Sequence, residues 1–281
     1  MENKRILVIG GSGYIGKPIV KRLNKQGYKV TVLSRNPKKI INGIKYIQGN
    51  VMNKDFLLKN VKDFDVIIYL AAIIRTLKKS KYKENIIGLK NTIETMYTNK
   101  IKKIIYFSTQ SIYIKKTGPY GNSKKACEKL ILNSYLNYVV IRPNYVYGID
   151  KYNDFYRLYS IIKKTKICPI IGSGKTRFQP INKNDIVEIT LKYIKKWKPK
   201  EIVDVSGKTT ISMNEVTEII KKQTNIWFIK IHIPLSILQL FKWIIPFDVD
   251  GYTDDRTSIN KNTLKGYANI KEDINNIIKI N

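Results

Sequence analysis

The sequence predicts an α/β fold in which helices cover both faces of a parallel sheet, a doubly wound arrangement with a small C-terminal lobe. The apolar run 6–9 leads directly into a glycine-rich turn and a helical pattern that continues to Lys25. Segments of strand and helix character then alternate at the spacing of β-α-β units. The strands are rich in Ile and Val without polar alternation, which is typical of strands buried on both faces.

The first β-α unit carries a glycine pattern at its turn. Gly10, Gly11, Gly13 and Gly16 satisfy both G-x-x-G-x-x-G and G-x-G-x-x-G. Glycine permits the tight turn after the strand, the approach of the backbone to a phosphate, and the close packing of helix on strand. An anion at this turn would meet free N–H groups and the positive end of the helix dipole. The pattern therefore predicts a site for a dinucleotide pyrophosphate.

The later elements follow from local patterns of the same kind. Runs of β-branched and aromatic residues predict further strands at 28–34, 44–47, 66–70, 104–108, 138–142 and 167–171. Apolar residues at helical spacing predict helices at 54–60, 85–98, 124–135, 155–164 and 184–197.

The pattern changes beyond residue 205. We therefore divide the chain into a nucleotide-binding domain, 1–205, and a substrate lobe, 206–281, and assign part of the segment after residue 148 to the lobe. Three helices are predicted in the lobe, at 212–223, 234–245 and 270–280. The first opens with a capping box, Ser212-x-x-Glu215. The apolar side chains of 235–244 are interpreted as core, with a substrate wall or a lipid-facing patch as alternatives.

The chain carries a formal net charge of +31, and 44 of its 52 cationic side chains are lysine. The lysines are scattered over nearly every predicted helix, whereas nucleic-acid binders commonly cluster arginine and lysine on one face. Because Ile and Asn are abundant too, we interpret the charge as a coding bias and expect no specific nucleic-acid partner. An anionic substrate or a peripheral membrane contact is the alternative.

The sparse histidine and cysteine residues exclude several classes of site. His232 is the only histidine, so we expect neither a His-based zinc site nor a Ser-His-Asp hydrolase, and no metal. It lies in an apolar run, 228–233, and is predicted to be a packed structural residue. Cys127 and Cys168 have neither ligand nor disulfide spacing, which favours a cytoplasmic location. We expect no targeting segment before the first strand and no bilayer span.

Hydroxyl groups follow the strand predicted at 104–108, at the edge where open α/β sheets bind ligands. Thr109 lies there, and Tyr120 and Lys124 follow at a spacing that places both side chains on one face of a helix. A lysine ammonium beside a tyrosine lowers the phenol pKa from about 10. Tyr120 could then exchange a proton with an alcohol or carbonyl oxygen to which Thr109 donates a hydrogen bond.

Spacing alone does not single out Tyr120. Four Tyr-x-x-x-Lys pairs occur, and they begin at Tyr120, Tyr147, Tyr159 and Tyr267. With 19 tyrosines and 44 lysines in 281 residues, chance supplies about three such pairs. Only Tyr120 follows a strand that ends in hydroxyl groups, so we treat the other three pairs as coincidental.

The ordered set of motifs resembles the short-chain dehydrogenase/reductase superfamily, in particular its extended or atypical branch of NAD-dependent epimerases and dehydratases. The matching segments are GGSGYIG (10–16), DVIIYLAA (65–72), NIIGL (85–89), STQSIY (108–113), YGNSK (120–124) and RPNYVYG (142–148). Segments 172–185 and 205–212 resemble the later family segments that meet the substrate. The resemblance covers nearly the whole chain and implies a Rossmann-like fold.

The resemblance also implies roles for residues at matching positions. The catalytic set would be Thr109, Tyr120 and Lys124, with Ser108 and Ser111 as alternatives to Thr109. Lys124 would also hold the ribose of the cofactor. The other cofactor contacts would be Gly10, Gly13, Tyr14, Ile15 and Gly16 at the pyrophosphate, Asn50 and Val51 beside adenine, Ala71 and Ala72 beneath the cofactor, and Pro143 to Val146 at the nicotinamide amide.

The end of the second strand bears on the choice of cofactor. No Asp or Glu follows it to accept hydrogen bonds from a ribose hydroxyl. Ser34 and Arg35 stand there instead, and they suit the 2′-phosphate of NADP. We therefore expect NADP in preference to NAD, with a solvated Arg35 as the alternative.

We expect an oxidoreductase that moves a hydride at a carbonyl or secondary-alcohol carbon of a sugar-nucleotide-like substrate, as an epimerase or a reductase. Gln110 and Ser111 stand where related sugar 4,6-dehydratases carry an Asp-Glu pair, so we expect that the chain is not a dehydratase. The alternative is a non-catalytic nucleotide-binding subunit that resembles structural members of respiratory complexes. The family also implies a homodimer through the helices at 85–98 and 124–135.

Overall fold

The computed structural model describes residues 4–36, 43–115, 117–240, 255, 257, 260 and 263–280. Its strands, in chain order, are β1 (Arg5–Ile9), β2 (Lys29–Ser34), β3 (Lys45–Gln48), β4 (Val66–Tyr69), β5 (Lys103–Phe107), β6 (Asn137–Pro143), β7 (Val146–Tyr147), β8 (Ile167–Ile171), β9 (Arg177–Phe178), β10 (Ile181–Asn182), β11 (Glu201–Ser206), β12 (Ile211–Ser212), β13 (Ile229–Ile233) and β14 (Leu264–Lys265). Its α-helices are α1 (Gly16–Lys25), α2 (Lys54–Asn60), α3 (Lys83–Thr98), α4 (Pro119–Leu132), α5 (Asp154–Thr165), α6 (Lys183–Lys195), α7 (Met213–Thr224), α8 (Leu235–Leu240) and α9 (Ile270–Ile278). Short 3-10 helices occupy Lys79–Tyr82 and Gln110–Tyr113.

The main sheet has eight strands in the order β14-β11-β6-β5-β4-β1-β2-β3. The chain runs outward from β1 through β2 to β3 and then resumes at β4 on the other side of β1, so the winding direction reverses between β1 and β4. The registers run parallel, with Ile6 opposite Val30 on one side and Val66 on the other. The predicted doubly wound α/β fold is confirmed, and the reversal creates the crevice in which such sheets bind ligands.

The chain divides into two compact units, each assembled from several segments. The first comprises Met1–Ile112, Pro119–Arg142 and Val187–Val203, and the second comprises Tyr113–Gly118, Pro143–Ile186 and Asp204–Asn281. The core of the first unit is built from the apolar residues of β1, β4 and β5 against α3 and α4. The second unit has its own core, in which α5, α7 and α9 pack around Tyr147 and the buried face of β8.

Most predicted elements lie within a few residues of the observed ones, and the capping box at Ser212 is present with both of its hydrogen bonds. The short strands β7, β9, β10, β12 and β14 were not predicted, and two longer strands also differ from the expectation. β8 forms as predicted, but it pairs with β13 in a separate two-stranded sheet. β11 belongs to the main sheet although no strand was predicted there. Strand pairing joins segments that are distant in sequence, so local patterns do not specify it.

Two further expectations are wrong. His232 is exposed instead of packed, and its Nδ1 lies 2.9 Å from the carbonyl oxygen of Gly172. No residue of α8 is buried, so the described part of the apolar segment 235–244 is not core, and the remainder lies outside the described residues. Within the described part of the chain, no helix is both long and apolar enough to span a bilayer.

Candidate active site

The glycine-rich turn connects β1 to α1. Gly10 has a φ of +84°, and a Cβ there would lie 2.8 Å from the backbone nitrogen of Ala71. At Gly16 a Cβ would meet the Gly10 carbonyl oxygen at 2.4 Å. Only glycine fits at both positions, because one needs a left-handed backbone and the other needs a close approach of two chain segments. The turn therefore brings the end of β1 next to Ala71, after the end of β4.

The amino terminus of α1 has the properties that a phosphate needs. Its first residue follows Ile15, which supplies no side-chain cap, and the first turn carries no acidic side chain. The side of the turn at Gly13 is exposed. The N–H groups of Gly13 and Lys17 are bonded to the carbonyl oxygens of Gly10 and Gly13, but no side chain caps the helix end. A dinucleotide pyrophosphate therefore fits the residues present.

The residues expected near adenosine lie at the ends of β2 and β3. Ser34 Oγ is 2.7 Å from Ser12 Oγ, so a pair of hydroxyl groups joins the glycine-rich turn to β2. Arg35 is exposed. Asn50 is exposed too, and its Oδ1 accepts a hydrogen bond from the backbone N–H of Met52 at 3.1 Å. The structure therefore places a cation and hydroxyl groups, and no carboxylate, at the end of β2.

The Lys124 side chain is hydrogen-bonded to the end of β5. Its Nζ donates a hydrogen bond to the carbonyl oxygen of Phe107 at 2.5 Å and lies 4.5 Å from the centroid of the Tyr106 ring. The side chain is buried, and burial lowers its pKa from 10.5 to about 8, against the opposing effects of Cys127 and Glu128. The helix of Tyr120 thus contacts Tyr106 and Phe107, the two residues before Ser108.

Tyr120 lies one turn before Lys124 on α4, with its ring 6.1 Å from the ring of Tyr82. The expected lowering of its pKa is wrong for the protein alone. Burial, followed by the nearby Tyr82 and Cys127, raises the pKa of Tyr120 well above 10. Desolvation of the phenolate is the largest cause, and the Lys124 ammonium is hydrogen-bonded to β5 instead of to Tyr120.

Thr109 comes two residues after the end of β5. Its Oγ1 donates to the Ser111 hydroxyl at 3.2 Å and accepts from the backbone N–H of Ser111. Ser108, in contrast, is buried and its Oγ has no hydrogen-bond partner among the described residues. Ser111 thus lies beside Thr109, and both hydroxyl groups follow directly from the strand that anchors Lys124.

Two supporting contacts fix α4. Asn85 on α3 donates through Nδ2 to Ser123 Oγ at 3.0 Å and to the Ile73 carbonyl oxygen, and its Oδ1 accepts from the Ile73 N–H at 2.7 Å. Arg142 on β6 forms a buried ion pair with Glu128, with Nη2 and Oε2 2.6 Å apart. The pairing is bidentate, because Arg142 Nε donates to Oε1 and Nη2 donates to Oε2 of Glu128. A bidentate pair resists rotation of the helix as well as its displacement.

Not all predicted site residues come together in one unit. Most of them belong to the first unit: the glycine-rich turn, Ala71, Ala72, Thr109, Tyr120 and Lys124. Pro143 and Val146 belong to the second unit. Pro143 is buried at the end of β6, and Val146 is partly exposed on β7. The roles expected of these two residues stay predictions.

Sequence reasoning missed the residues that support the site. Tyr82 and Tyr106 carry no motif signal, and Ser12 stands in the glycine-rich motif without having been assigned a role. The contacts of Asn85, Glu128 and Arg142 join different elements, although Asn85 and Arg142 stand in segments that carried the resemblance. A spacing signal existed only for Glu128, which follows Lys124 by one turn of the same helix.

Two curated relatives show how wide the range of similar proteins is. The chain is 26% identical over 265 residues to the dTDP-D-glucose 4,6-dehydratase of Mus musculus, covering 79% of this chain and 74% of the relative. It is 30% identical over 251 residues to a putative UDP-glucose 4-epimerase of Methanocaldococcus jannaschii, covering 78% and 82%.

A solved structure matches the fold over nearly its full length. It is MoeE5 in complex with UDP-glucuronic acid and NAD, with a TM-score of 0.81, 18% identity and 98% coverage of both chains. At this identity the match establishes the Rossmann-like fold.

The expectation that the chain is not a dehydratase is wrong, because its similar relatives include a 4,6-dehydratase. The physical reason is that loss of water needs an acid and a base, but these groups can come from anywhere around the substrate. Here the amide of Gln110 donates to the Arg142 carbonyl oxygen, and Ser111 is bound to Thr109. The residue types at these two positions therefore do not decide between elimination and epimerisation.

A family model also matches the chain. The model for the NAD dependent epimerase/dehydratase family covers residues 6–206, which include the glycine-rich turn, Thr109, Tyr120 and Lys124. The parallel sheet, the glycine cradle and the order of the site residues agree with this match. The chain therefore belongs to the NAD dependent epimerase/dehydratase family.

Proposed function

We propose that the protein catalyses NAD(P)-dependent hydride transfer at a hydroxyl-bearing or carbonyl carbon of a sugar nucleotide, with Tyr120 as the proton donor and acceptor. The observation that carries the proposal is the 2.5 Å hydrogen bond from Lys124 Nζ to the Phe107 carbonyl oxygen. It ties the helix of Tyr120 to the strand that presents Thr109. Sugar-nucleotide names among the relatives support the substrate class.

The chain's own residues divide the work of the reaction. When bound, the nicotinamide ring supplies the group that takes or returns the hydride. The Thr109 hydroxyl turns from Ser111 to donate its one hydrogen bond to the reacting oxygen, and Tyr120 carries the proton of that oxygen. Tyr120 is protonated in the protein alone, since burial raises its pKa. The Lys124 ammonium is the nearby charge that favours the phenolate, and its other N–H groups can hold a ribose hydroxyl.

The test of this function is a product analysis. The purified protein is incubated with NAD or NADP and with UDP-glucose, UDP-glucuronic acid or dTDP-glucose, and the products are separated and weighed. A product of unchanged mass indicates epimerisation, and loss of water indicates a dehydratase. Tyr120→Phe should abolish turnover, whereas Tyr159→Phe, from a coincidental Tyr-x-x-x-Lys pair, should not. Equal turnover by the wild type and Tyr120→Phe would sink the proposal.

We further propose a preference for NADP. Arg35 and the hydroxyl pair of Ser12 and Ser34 offer donors to a 2′-phosphate, and the end of β2 offers it no repulsive carboxylate. NADPH should bind at least tenfold more tightly than NADH, a difference of about 1.4 kcal/mol, and Arg35→Leu should remove the difference. Equal or tighter NADH binding would instead match the NAD named for the structural neighbour.

We also propose a cytoplasmic location and a homodimer. Cys127 and Cys168 are both free and buried, which supports the reducing cytoplasm. A homodimer through α3 and α4 rests on analogy with the family. Light scattering coupled to size-exclusion chromatography measures the mass in solution, and a monomer would remove that part of the proposal.

A further inference from the structure

We propose that Tyr106 is a positioning residue for Lys124: the face of its ring supports the ammonium while the next residue, Phe107, accepts a hydrogen bond from it. Nothing in the motifs of the family match marks this position. The inference rests on the proposed function, because it concerns the residue that positions Tyr120 and the cofactor ribose.

The contact is a buried cation over an aromatic face. Lys124 Nζ lies 4.5 Å from the centroid of the Tyr106 ring and 2.5 Å from the Phe107 carbonyl oxygen. Lys124 is 4% exposed and Tyr106 is 1% exposed. A buried ammonium needs compensation for its lost water, and an aromatic face is one of the groups that provides it. Consecutive residues of β5 thus supply a ring and a carbonyl oxygen.

The hydroxyl group of Tyr106 does not explain the residue. It is buried, and it makes no hydrogen bond of normal geometry to a described residue. Buried hydroxyl groups are usually paired, so this one is a cost that other contacts of the side chain must offset. The ring does have partners: Lys124 on one side and the Tyr69 ring, with centroids 6.1 Å apart, on another. The ring face is therefore the useful part of Tyr106.

The other groups near Lys124 are engaged elsewhere. On α4 these are Tyr120, the Cys127 thiol and the Glu128 carboxylate. The thiol donates to the Asn85 carbonyl oxygen, and the carboxylate is held by Arg142. The Glu128 carboxylate acts on Lys124 through its charge, whereas Tyr106 and Phe107 are the direct contacts on β5. Removal of the Tyr106 ring should therefore weaken the hold on the ammonium and favour its neutral form.

The experiment is a titration with NADH and NADPH, followed by nicotinamide fluorescence, on both sides of the pH of about 8 at which Lys124 loses its proton. Tyr106→Phe keeps the ring and should bind as the wild type does. Tyr106→Leu should bind about three- to tenfold more weakly, and the loss of binding at alkaline pH should begin about half to one pH unit lower. Tyr138→Leu removes another buried tyrosine ring, from β6, and should leave the pH profile unchanged.

Two further measurements keep the result decisive. In a Lys124→Met background, Tyr106→Leu should have no further effect on binding, because the coupled partner is absent. The pH dependence of unfolding in urea reports the Lys124 proton without any cofactor, and Tyr106→Leu should shift it where Tyr106→Phe does not. If the wild type binds neither cofactor, the proposed function fails, but the unfolding data still decide the role of Tyr106. Identical pH profiles for the Phe and Leu variants would overturn it.

Discussion

The protein contains two buried polar clusters, each with at least one tyrosine, that differ in how fully their side chains are hydrogen-bonded. In the second unit, the Asp273 cluster consists of Tyr147, Asn182, Asp185 and Asp273. Oδ2 of Asp273 accepts hydrogen bonds from Tyr147 at 2.6 Å and from Asn182 at 2.8 Å. Asp185 accepts from the backbone N–H of Ala268. Each of these polar side chains has a partner, so the cluster resembles an ordinary structural network.

The Lys124 cluster of the first unit contains buried polar groups that are not fully hydrogen-bonded. Its members are Tyr106, Ser108, Tyr120, Lys124 and Cys127. Among the described residues, the buried hydroxyl of Ser108 has no hydrogen-bond partner, and that of Tyr106 has only a weak interaction with the Cys127 side chain. Burial lowers the pKa of Lys124 to about 8 and raises that of Tyr120. Burial shifts pKa values in both clusters, because it also raises those of Tyr147 and Asp185. The difference is therefore in the hydrogen bonds: the Asp273 cluster is paired throughout, whereas the Lys124 cluster contains a buried hydroxyl without a partner among the described residues, beside the residues of the proposed function.

The largest expected effect comes from the Lys124 cluster. Tyr120→Phe removes the proton carrier and keeps the ring contact with Tyr82, so turnover should fall by about 10²–10⁴-fold. The unfolding free energy and cofactor affinity should change little. Steady-state kinetics and a cofactor titration on the same preparation measure both. A variant that is inactive because it is unfolded would contradict the assignment of Tyr120 to chemistry.

In the Asp273 cluster, the expected effect is on stability. Asp273→Ala leaves the buried donors of Tyr147 and Asn182 without their acceptor and should lower the unfolding free energy by about 2–4 kcal/mol. Glu272→Ala, the neighbouring carboxylate on α9, is the matched control and should cost less than about 1 kcal/mol. Urea denaturation compares the two. Equal losses would mean that the network contributes no more than a surface charge.

Lys124→Met measures stability in the Lys124 cluster, as Asp273→Ala does in the Asp273 cluster. It tests whether the buried ammonium lowers the unfolding free energy. The pKa of Lys124 falls from 10.5 in the unfolded chain to about 8 in the folded protein. Between these values the unfolded chain holds a proton that the folded protein has lost, so the contribution of Lys124 to stability should rise with pH, by about 3 kcal/mol in total. Buried tyrosines and cysteines whose pKa values are raised oppose this rise in all variants, so the difference between variants carries the test. Lys124→Met should lack this rise, and exposed Lys125→Met should keep it. Urea unfolding below pH 8 and near pH 10.5 measures the difference between variants, and parallel curves for all three proteins would contradict the prediction.

The smallest effects sharpen the contrast between paired and unpaired hydroxyl groups. Tyr147→Phe removes a hydrogen bond to Asp273 and should cost about 1–2 kcal/mol. Ser108→Ala removes a hydroxyl that has no partner among the described residues, so the unfolding free energy should stay within about 0.5 kcal/mol of the wild type. Thermal or urea unfolding measures both. A larger loss for Ser108→Ala would reveal that its hydroxyl is bonded in solution.

The contrast was only partly predictable. The glycine-rich turn follows from spacing along the chain. The Tyr120–Lys124 pair follows from spacing together with the preceding strand that ends in hydroxyl groups. The Asp273 cluster joins β7, β10 and α9 and has no motif. Of the strands, β8 was predicted at its observed bounds, but its pairing with β13 was not. Pairing depends on contacts between distant segments, whereas the strand itself depends on local side-chain pattern.

The sequence by itself determined the doubly wound fold, the cradle of Gly10, Gly13 and Gly16, and the order of Thr109, Tyr120 and Lys124. These features rest on local backbone geometry and on covalent spacing, which the chain carries before it folds. Only the tertiary structure decided that Tyr106 lies under the Lys124 ammonium and that the pKa of Tyr120 is raised instead of lowered. Desolvation and ring contacts arise from packing between elements, and packing is the part of the fold that a linear pattern does not contain.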